Sequence, residues 1–133
     1  MSRRAGHPRW RVGLKGVGLA LLLAGCGDAA EPYRGVLRDQ AAAYEDLERV
    51  LGGVVDEATM KSAQIELAKS WKHYEAIKER ALALAPPSFS IQEQMELEKR
   101  RLNQAFENWQ KQVRRIKALP GGDAFLKGLA MDP

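Results

Sequence analysis

The strongest constraint on the fold is a repeat of apolar residues at intervals of seven. In the last third of the chain the repeat runs through Met95, Leu102, Trp109 and Ile116. Residues seven positions apart lie on the same face of an α-helix, so this spacing predicts a helix with one apolar face. Two earlier segments show similar spacing, and no segment shows the alternation that is typical of a β-strand. We therefore expect an all-α fold.

Local start and stop signals set the expected helix boundaries. The first helix ends at Gly52-Gly53, because glycine accepts the left-handed conformation that follows many helices. Asp56 is a predicted N-cap for the second helix, which Pro86-Pro87 terminates. Ser90 begins a capping box that opens the third helix, and a final short helix covers about residues 123–130.

These boundaries predict how the helices pack. The second and third helices, residues 57–84 and 91–118, each have 28 residues and a length of about 42 Å. The six-residue turn between them favours a long antiparallel hairpin. The first helix, residues 33–51, is nine residues shorter and would pack along the groove of the hairpin. The prediction is an antiparallel three-helix bundle with a short C-terminal helix; the alternative is an extended two-helix coiled coil that dimerises.

The first 25 residues differ in composition from the rest of the chain. They carry five basic residues and no acidic one, whereas residues 26–133 carry 16 basic and 17 acidic residues. Residues 16–25 form an apolar run that is too short to span a bilayer, which needs about 20 residues. A basic start followed by a short apolar core is typical of a cleaved secretory signal peptide. Without this segment the chain loses its basic excess, so no nucleic-acid partner is expected.

The apolar run ends in Leu23-Ala24-Gly25-Cys26. This sequence resembles the lipobox of bacterial lipoproteins, in which lipid is attached to the cysteine thiol and signal peptidase II cuts just before it. The resemblance implies cleavage between Gly25 and Cys26 and a fatty-acylated Cys26. It divides the chain into a signal peptide (1–25), a lipidated tether (26–32) and a helical domain (33–133). Two or more acyl chains hold a protein durably on a membrane without a transmembrane helix.

The same resemblance places the protein in the bacterial cell envelope. In enterobacterial lipoproteins, an aspartate directly after the lipidated cysteine is the familiar signal for retention in the inner membrane. Here Gly27 follows Cys26, and Asp28 comes one position later. The pattern favours the periplasmic face of the outer membrane over the inner membrane.

The mature chain offers little for catalysis or metal binding. His73 is its only histidine, and the positions three and four residues before and after it hold no carboxylate. Cys26 is the only cysteine, and lipidation leaves no thiolate for a zinc site. No phosphate loop and no nucleophile elbow is present. We therefore expect a solvent-facing His73, no enzyme activity, no catalytic residue, no metal and no cofactor.

Two surfaces are candidates for binding. Because the first helix is short, the other two would lose their third neighbour near Pro86-Pro87, and an exposed apolar patch there would suit a protein partner. The patch residues are Ala81, Leu84, Phe89, Ile91 and Met95. Basic residues of the third helix would contact anionic lipid headgroups or a cell-wall polymer. The basic residues are Lys99, Arg100, Arg101, Arg114, Arg115 and Lys117.

The mature region resembles a type of short, charged, helical bacterial lipoprotein. The resemblance is carried by residues 51–58, by residues 83–88 and by the charged helix after Ser90, and it implies a fold but no chemistry. The leading hypothesis is a non-enzymatic lipoprotein that is tethered to a membrane by Cys26 and contacts an envelope protein. One alternative is a periplasmic carrier whose core opens around a small apolar ligand. The other is a module that binds an anionic surface through the third helix.

Overall fold

The computed structural model of the protein describes residues 27–129, which form five α-helices and no β-strand. The helices are α1 (Glu31–Gly52), α2 (Glu57–Leu82), α3 (Phe89–Glu93), α4 (Glu96–Lys117) and α5 (Gly122–Gly128). The predicted all-α class is confirmed, and the helices pack as a bundle. The predicted signal peptide and Cys26 lie outside the described residues. Between residues 27 and 129, no helix combines the length and the hydropathy that crossing a bilayer requires.

The start of α2 follows the predicted capping signal. The Asp56 carboxylate accepts a hydrogen bond of 2.8 Å from the backbone N–H of Thr59, and the Thr59 hydroxyl accepts one of 3.0 Å from the backbone N–H of Asp56. Each side chain thus satisfies a backbone donor that has no partner within the helix. Asp56 is the N-cap that the sequence predicts.

The third predicted helix is interrupted. Its N-cap is Ser88, not Ser90, since the Ser88 hydroxyl accepts from the backbone N–H of Ile91 at 3.3 Å. The first piece, α3, ends at Glu93, because the backbone N–H of Met95 bonds the carbonyl of Gln92 in a tighter three-residue turn. The predicted continuous helix over residues 91–118 is therefore wrong.

The first helix is longer than expected and occupies the centre of the bundle. It begins at Glu31, with Pro32 in its first turn, where proline's missing N–H costs nothing. It therefore has 22 residues, as many as α4 and four fewer than α2. Seven of its residues are buried, against three in α2 and four in α4. The prediction of a first helix much shorter than its neighbours is wrong.

The backbones of α2 and α4 both approach α1 closely, and neither makes a comparable approach to the other. The second and third predicted helices thus approach each other less closely than each approaches α1, and their antiparallel hairpin stays a prediction. Side-chain size explains the difference. Ala41 and Ala43 of α1 are buried and allow close backbone approach, whereas Trp71 of α2 and Trp109 of α4 stack between their helices with ring centres 6.2 Å apart.

The core has two parts. The larger one surrounds Leu47, Leu67 and Ile116, and α5 covers it with the buried Leu126. The smaller one contains Val36, Ala43 and Ile77, with Ala81 and Leu84 packed against it, and it lies near the connection between α2 and α3.

A candidate contact surface beside the α2–α3 connection

An apolar groove of about 190 Å³ opens where the first residues of α1, the end of α2 and the start of α4 meet. Its lining is apolar apart from a phenol, an amide and one ammonium group. The lining residues are Tyr33, Val36, Leu37, Gln40, Ala81, Leu84, Pro87, Met95 and Lys99. A concave apolar surface of this kind suits an apolar side chain of a partner better than a polar substrate.

Hydrogen bonds and ion pairs hold α1 at this end of the bundle. The hydroxyl of Tyr33 donates to the carbonyl oxygen of Ala85 at 2.8 Å, which joins the first turn of α1 to the α2–α3 connection. Nearly two turns further along α1, Arg80 of α2 pairs with Asp39 at 3.1 Å. These contacts give the groove its α1 wall.

The structure brings together three of the five predicted patch residues. Ala81, Leu84 and Met95 line the groove: the first two are half-buried, and Met95 is buried. Ile91 is half-buried and Phe89 is 76% exposed, and neither lines the groove. The predicted patch is thus not one surface: three of its residues line the groove, and Phe89 and Ile91 lie outside it.

The contribution of α1 to this groove was not predicted from the sequence. Tyr33, Val36 and Leu37 line the groove, yet a short first helix was expected to leave this end uncovered. The signal was available in Pro32, which is favoured in the first turn of a helix and so marks a start before Tyr33.

Exposed apolar residues collect near the groove. Five large apolar side chains of the described chain are exposed, and three of them, Leu82, Phe89 and Leu97, flank the α2–α3 connection or the start of α4. The other two are Val55 and Ile65. A cluster of exposed apolar groups is more informative than single ones, because scattered examples are ordinary on protein surfaces.

The predicted basic surface is divided by intramolecular contacts. Arg101 binds the Glu45 carboxylate through two hydrogen bonds of 3.0 and 2.8 Å, which lower the pKa of Glu45. Arg115 is half-buried and donates to the carbonyl oxygens of Leu51 and Val54, both at 2.7 Å. These two arginines fasten α4 to α1 and are poorly placed to reach an external anion.

The other four predicted basic residues differ among themselves. Lys99 lines the groove and pairs with Glu96 at 3.0 Å. Arg100 and Arg114 are exposed and have no ion pair or hydrogen bond from their side chains within residues 27–129. Lys117 is exposed and has an interaction of its own. Arg100 and Arg114 are therefore the predicted contacts that are most available to an anion.

His73 lies on an exposed face of α2, at the edge of a polar groove of about 320 Å³. Two carboxylates line this groove, Glu66 of α2 and Asp46 of α1. Asp46 accepts a hydrogen bond of 2.6 Å from the Ser70 hydroxyl and one of 2.7 Å from Arg49. These bonds, the one from Ser70 foremost, lower the pKa of Asp46. No group of three or more histidine, cysteine or acidic side chains that could hold a metal occurs within the described chain.

Five aromatic rings meet in the middle of the bundle. They belong to Tyr44, Trp71, Tyr74, Phe106 and Trp109. The Tyr44 hydroxyl donates to that of Tyr74 at 2.7 Å, and burial, followed by this hydrogen bond, raises the pKa of the Tyr44 phenol. Four surface grooves, of about 190 to 420 Å³, have no lining residue from this cluster. The carrier hypothesis requires a cavity among the rings, and none of these four grooves lies there.

Comparison with known proteins adds no assignment to this geometry. No protein-family model, no curated protein and no solved structure matches the chain.

Proposed function

We propose that the chain is a bacterial envelope lipoprotein, held on a membrane by an acylated Cys26, that acts without catalysis by binding a protein partner. The observation that carries the proposal is the apolar groove beside the α2–α3 connection. A groove lined by apolar side chains of α1, of the end of α2 and of the segments that follow it would accept apolar side chains of the partner. The lipobox supports cleavage after Gly25, and Gly27 supports the periplasmic face of the outer membrane.

The helix arrangement that we propose is a three-helix bundle with α1 between α2 and α4. Tyr33 reaches Ala85, Tyr44 reaches Tyr74 and Arg49 reaches Glu66, so positions along α1 rise as those along α2 fall. Glu45 reaches Arg101 and Leu51 reaches Arg115, so positions along α1 and α4 rise together. These pairs support an up-down-up order in which chain neighbours are antiparallel.

Site-specific photocrosslinking in living bacteria tests the partner surface. A crosslinking amino acid at Gln40, a polar residue of the groove, should give a discrete crosslinked product that contains the protein and one envelope partner. The matched control is the same amino acid at Ile65, which is 84% exposed and about 24 Å along α2 from Ala81.

Each result of this experiment has a distinct meaning. A product at Gln40 and none at Ile65 supports the groove as the partner surface. A product that contains only a second copy of the chain would mean that the protein forms a homodimer through this groove. Equal products at both positions, or none at Gln40, would contradict the proposal.

A second candidate function has one observation in its favour. Arg100 and Arg114 are exposed without partners in the described chain, and they lie about 21 Å apart along α4 on nearly the same face. Such a pair would bind anionic lipid or a cell-wall polymer. Binding of residues 27–133 to anionic vesicles that falls with salt, and falls further in the Arg100→Glu, Arg114→Glu double variant, would support this function. Absent or salt-insensitive binding would exclude it.

A further inference from the structure

The described part of the chain begins directly after the predicted lipid site. The Asp28 carboxylate accepts a hydrogen bond of 3.0 Å from the backbone N–H of Ala30 and pairs with Arg34, while the Asp28 carbonyl accepts from the N–H of Glu31. Ala30 is fully buried. The predicted tether of residues 26–32 is therefore folded from Asp28 onward, and Gly27 alone separates Cys26 from it.

This short spacing restricts where the bundle can sit. Two residues of extended chain span about 7 Å at most, so the backbone of Asp28 must lie within that distance of the Cys26 backbone. Since the Tyr33 hydroxyl bonds the carbonyl of Ala85, the α2–α3 connection is at the same end of the bundle as Asp28. An acylated Cys26 would hold this end, and no other, next to the membrane surface.

The same end carries the longest uncharged segment of the described chain. Residues 81–92 contain no acidic, basic or histidine side chain, although 29% of the whole chain is charged. Arg80 precedes the segment and Glu93 follows it. Within it, Leu82 is 77% exposed and Phe89 is 76% exposed. Exposed apolar groups without nearby charge are stabilised by transfer from water into the headgroup and acyl boundary of a bilayer.

We propose that the exposed side of residues 81–92 contacts the phospholipid surface. Leu82 and Phe89, which are exposed and do not line the groove, are inserted at the interface, so that this end of the anchored bundle faces the membrane. The inference rests on the proposed acylation of Cys26. The surface that we propose for this segment is a bilayer of neutral phospholipid, because a segment without charges has no preference for anionic headgroups. Contact of this kind persists at high salt, in contrast to binding through Arg100 and Arg114.

Quenching of tryptophan fluorescence by lipids with brominated acyl chains tests the contact. The acylated protein is extracted from bacterial membranes as Phe89→Trp and as Ile65→Trp, and each is reconstituted in brominated phosphatidylcholine vesicles. Both new tryptophans replace exposed apolar residues, and both variants retain Trp71 and Trp109 as an equal background. Phe89→Trp should lose emission relative to vesicles without bromine, and Ile65→Trp should not. The loss should be the same at about 0.1 M and about 1 M salt.

Vesicle flotation separates this inference from the proposed function. If both variants float with the vesicles and Phe89→Trp is not quenched, or is quenched no more than Ile65→Trp, the membrane contact is wrong and the lipid anchor stands. If neither variant floats, Cys26 carries no anchor, and both proposals fail. Quenching that disappears at high salt would also overturn the inference, because it would require charged contacts.

Discussion

The guanidinium of Arg115 donates a hydrogen bond of 2.7 Å to the carbonyl oxygen of Leu51, so an arginine of α4 caps the C-terminal end of α1. A second N–H of the same group donates to the Val54 carbonyl, also at 2.7 Å. The last carbonyls of a helix have no partner within it, and a basic group there also complements the helix dipole. This contact links positions 64 residues apart and fixes α4 against α1.

Replacing Arg115 by methionine should therefore lower stability. Arg115→Met keeps most of the aliphatic packing and removes three charge-assisted hydrogen bonds, those to the Leu51 and Val54 carbonyls and one to the Gln112 side chain. The free energy of unfolding should therefore fall by about 1–3 kcal/mol. Urea denaturation followed by circular dichroism measures the change. The control is Arg114→Met, since Arg114 is exposed and its loss should change stability by less than about 0.5 kcal/mol. Equal effects of the two substitutions would contradict the capping role.

Two glycines should respond in opposite directions to alanine. A Cβ atom at Gly122 would lie 1.7 Å from the backbone oxygen of Ile116, so Gly122→Ala must displace α5 from the core, at a cost of more than about 1 kcal/mol. At Gly35, inside α1, a Cβ atom would meet nothing within 4 Å. Gly35→Ala should therefore stabilise the protein by about 0.5–1 kcal/mol. Thermal unfolding of both variants checks the signs, and a Gly122→Ala protein as stable as the wild type would refute the close approach.

Phe89 and Leu84 belong to one predicted patch, but their substitution should change the free energy of unfolding by different amounts. Leu84 packs against the smaller core, so Leu84→Asp should lower the free energy of unfolding by about 1–3 kcal/mol. Phe89 is exposed, so Phe89→Asp should change it by less than about 0.5 kcal/mol. Chemical denaturation of residues 27–133 provides the comparison. A large loss in Phe89→Asp would mean that the ring is part of the core.

Stability should fall in acid because of hydrogen-bonded carboxylates. The pKa values of Glu45, Asp46 and Asp56 are lowered in the folded protein, chiefly by Arg101, Ser70 and the backbone N–H of Thr59 respectively. A lowered folded pKa means that the unfolded chain binds more protons, so this stabilisation is present above the unfolded pKa, about 4, and is lost as the pH falls through the folded pKa.

The Asp46→Asn variant isolates one part of this pH dependence. Asparagine keeps an acceptor for the Ser70 hydroxyl but does not titrate, so the fall in melting temperature below about pH 4 should be shallower than in the wild type. Glu48→Gln, a change on the same helix at a carboxylate without a hydrogen bond or ion pair in the described part of the chain, serves as the control and should leave the slope unchanged. An Asp46→Asn slope as steep as that of the wild type would contradict the assignment.

The apolar repeat was sufficient to predict which faces of the helices are buried. Leu67, Trp109 and Ile116 lie on predicted apolar faces and are buried in the core, because helical periodicity depends only on local geometry. Asp56 was predictable for the same reason, since an N-cap acts within one turn. At the third helix the local pattern favoured the wrong serine, because Glu93 completes a capping box with Ser90, whereas Ile91 stands three residues after Ser88 and has no polar side chain for one.

Relations between distant segments were not predictable from periodicity. A stripe shows that a face is buried but not how closely each neighbouring helix approaches it, so the close approach of α1 to both α2 and α4, without a comparable one between those two, was not predicted. The pattern of a single helix does not predict contacts between helices either. Two examples are the Asp46–Ser70 hydrogen bond, between positions 24 residues apart, and the Arg115–Leu51 contact. The groove depends on these long-range relations, and its α1 wall was therefore not foreseen.

The central claim is that Cys26 carries lipid and begins the mature chain. Intact-mass measurement of the protein from the membrane fraction of an expressing bacterium, beside the Cys26→Ala variant, tests it directly. The account predicts a wild-type chain of residues 26–133 with the added mass of fatty acyl groups, and a Cys26→Ala protein that is neither cleaved at that position nor acylated. A wild-type protein that retains Met1, carries no acyl mass and stays outside the membrane fraction would contradict the claim.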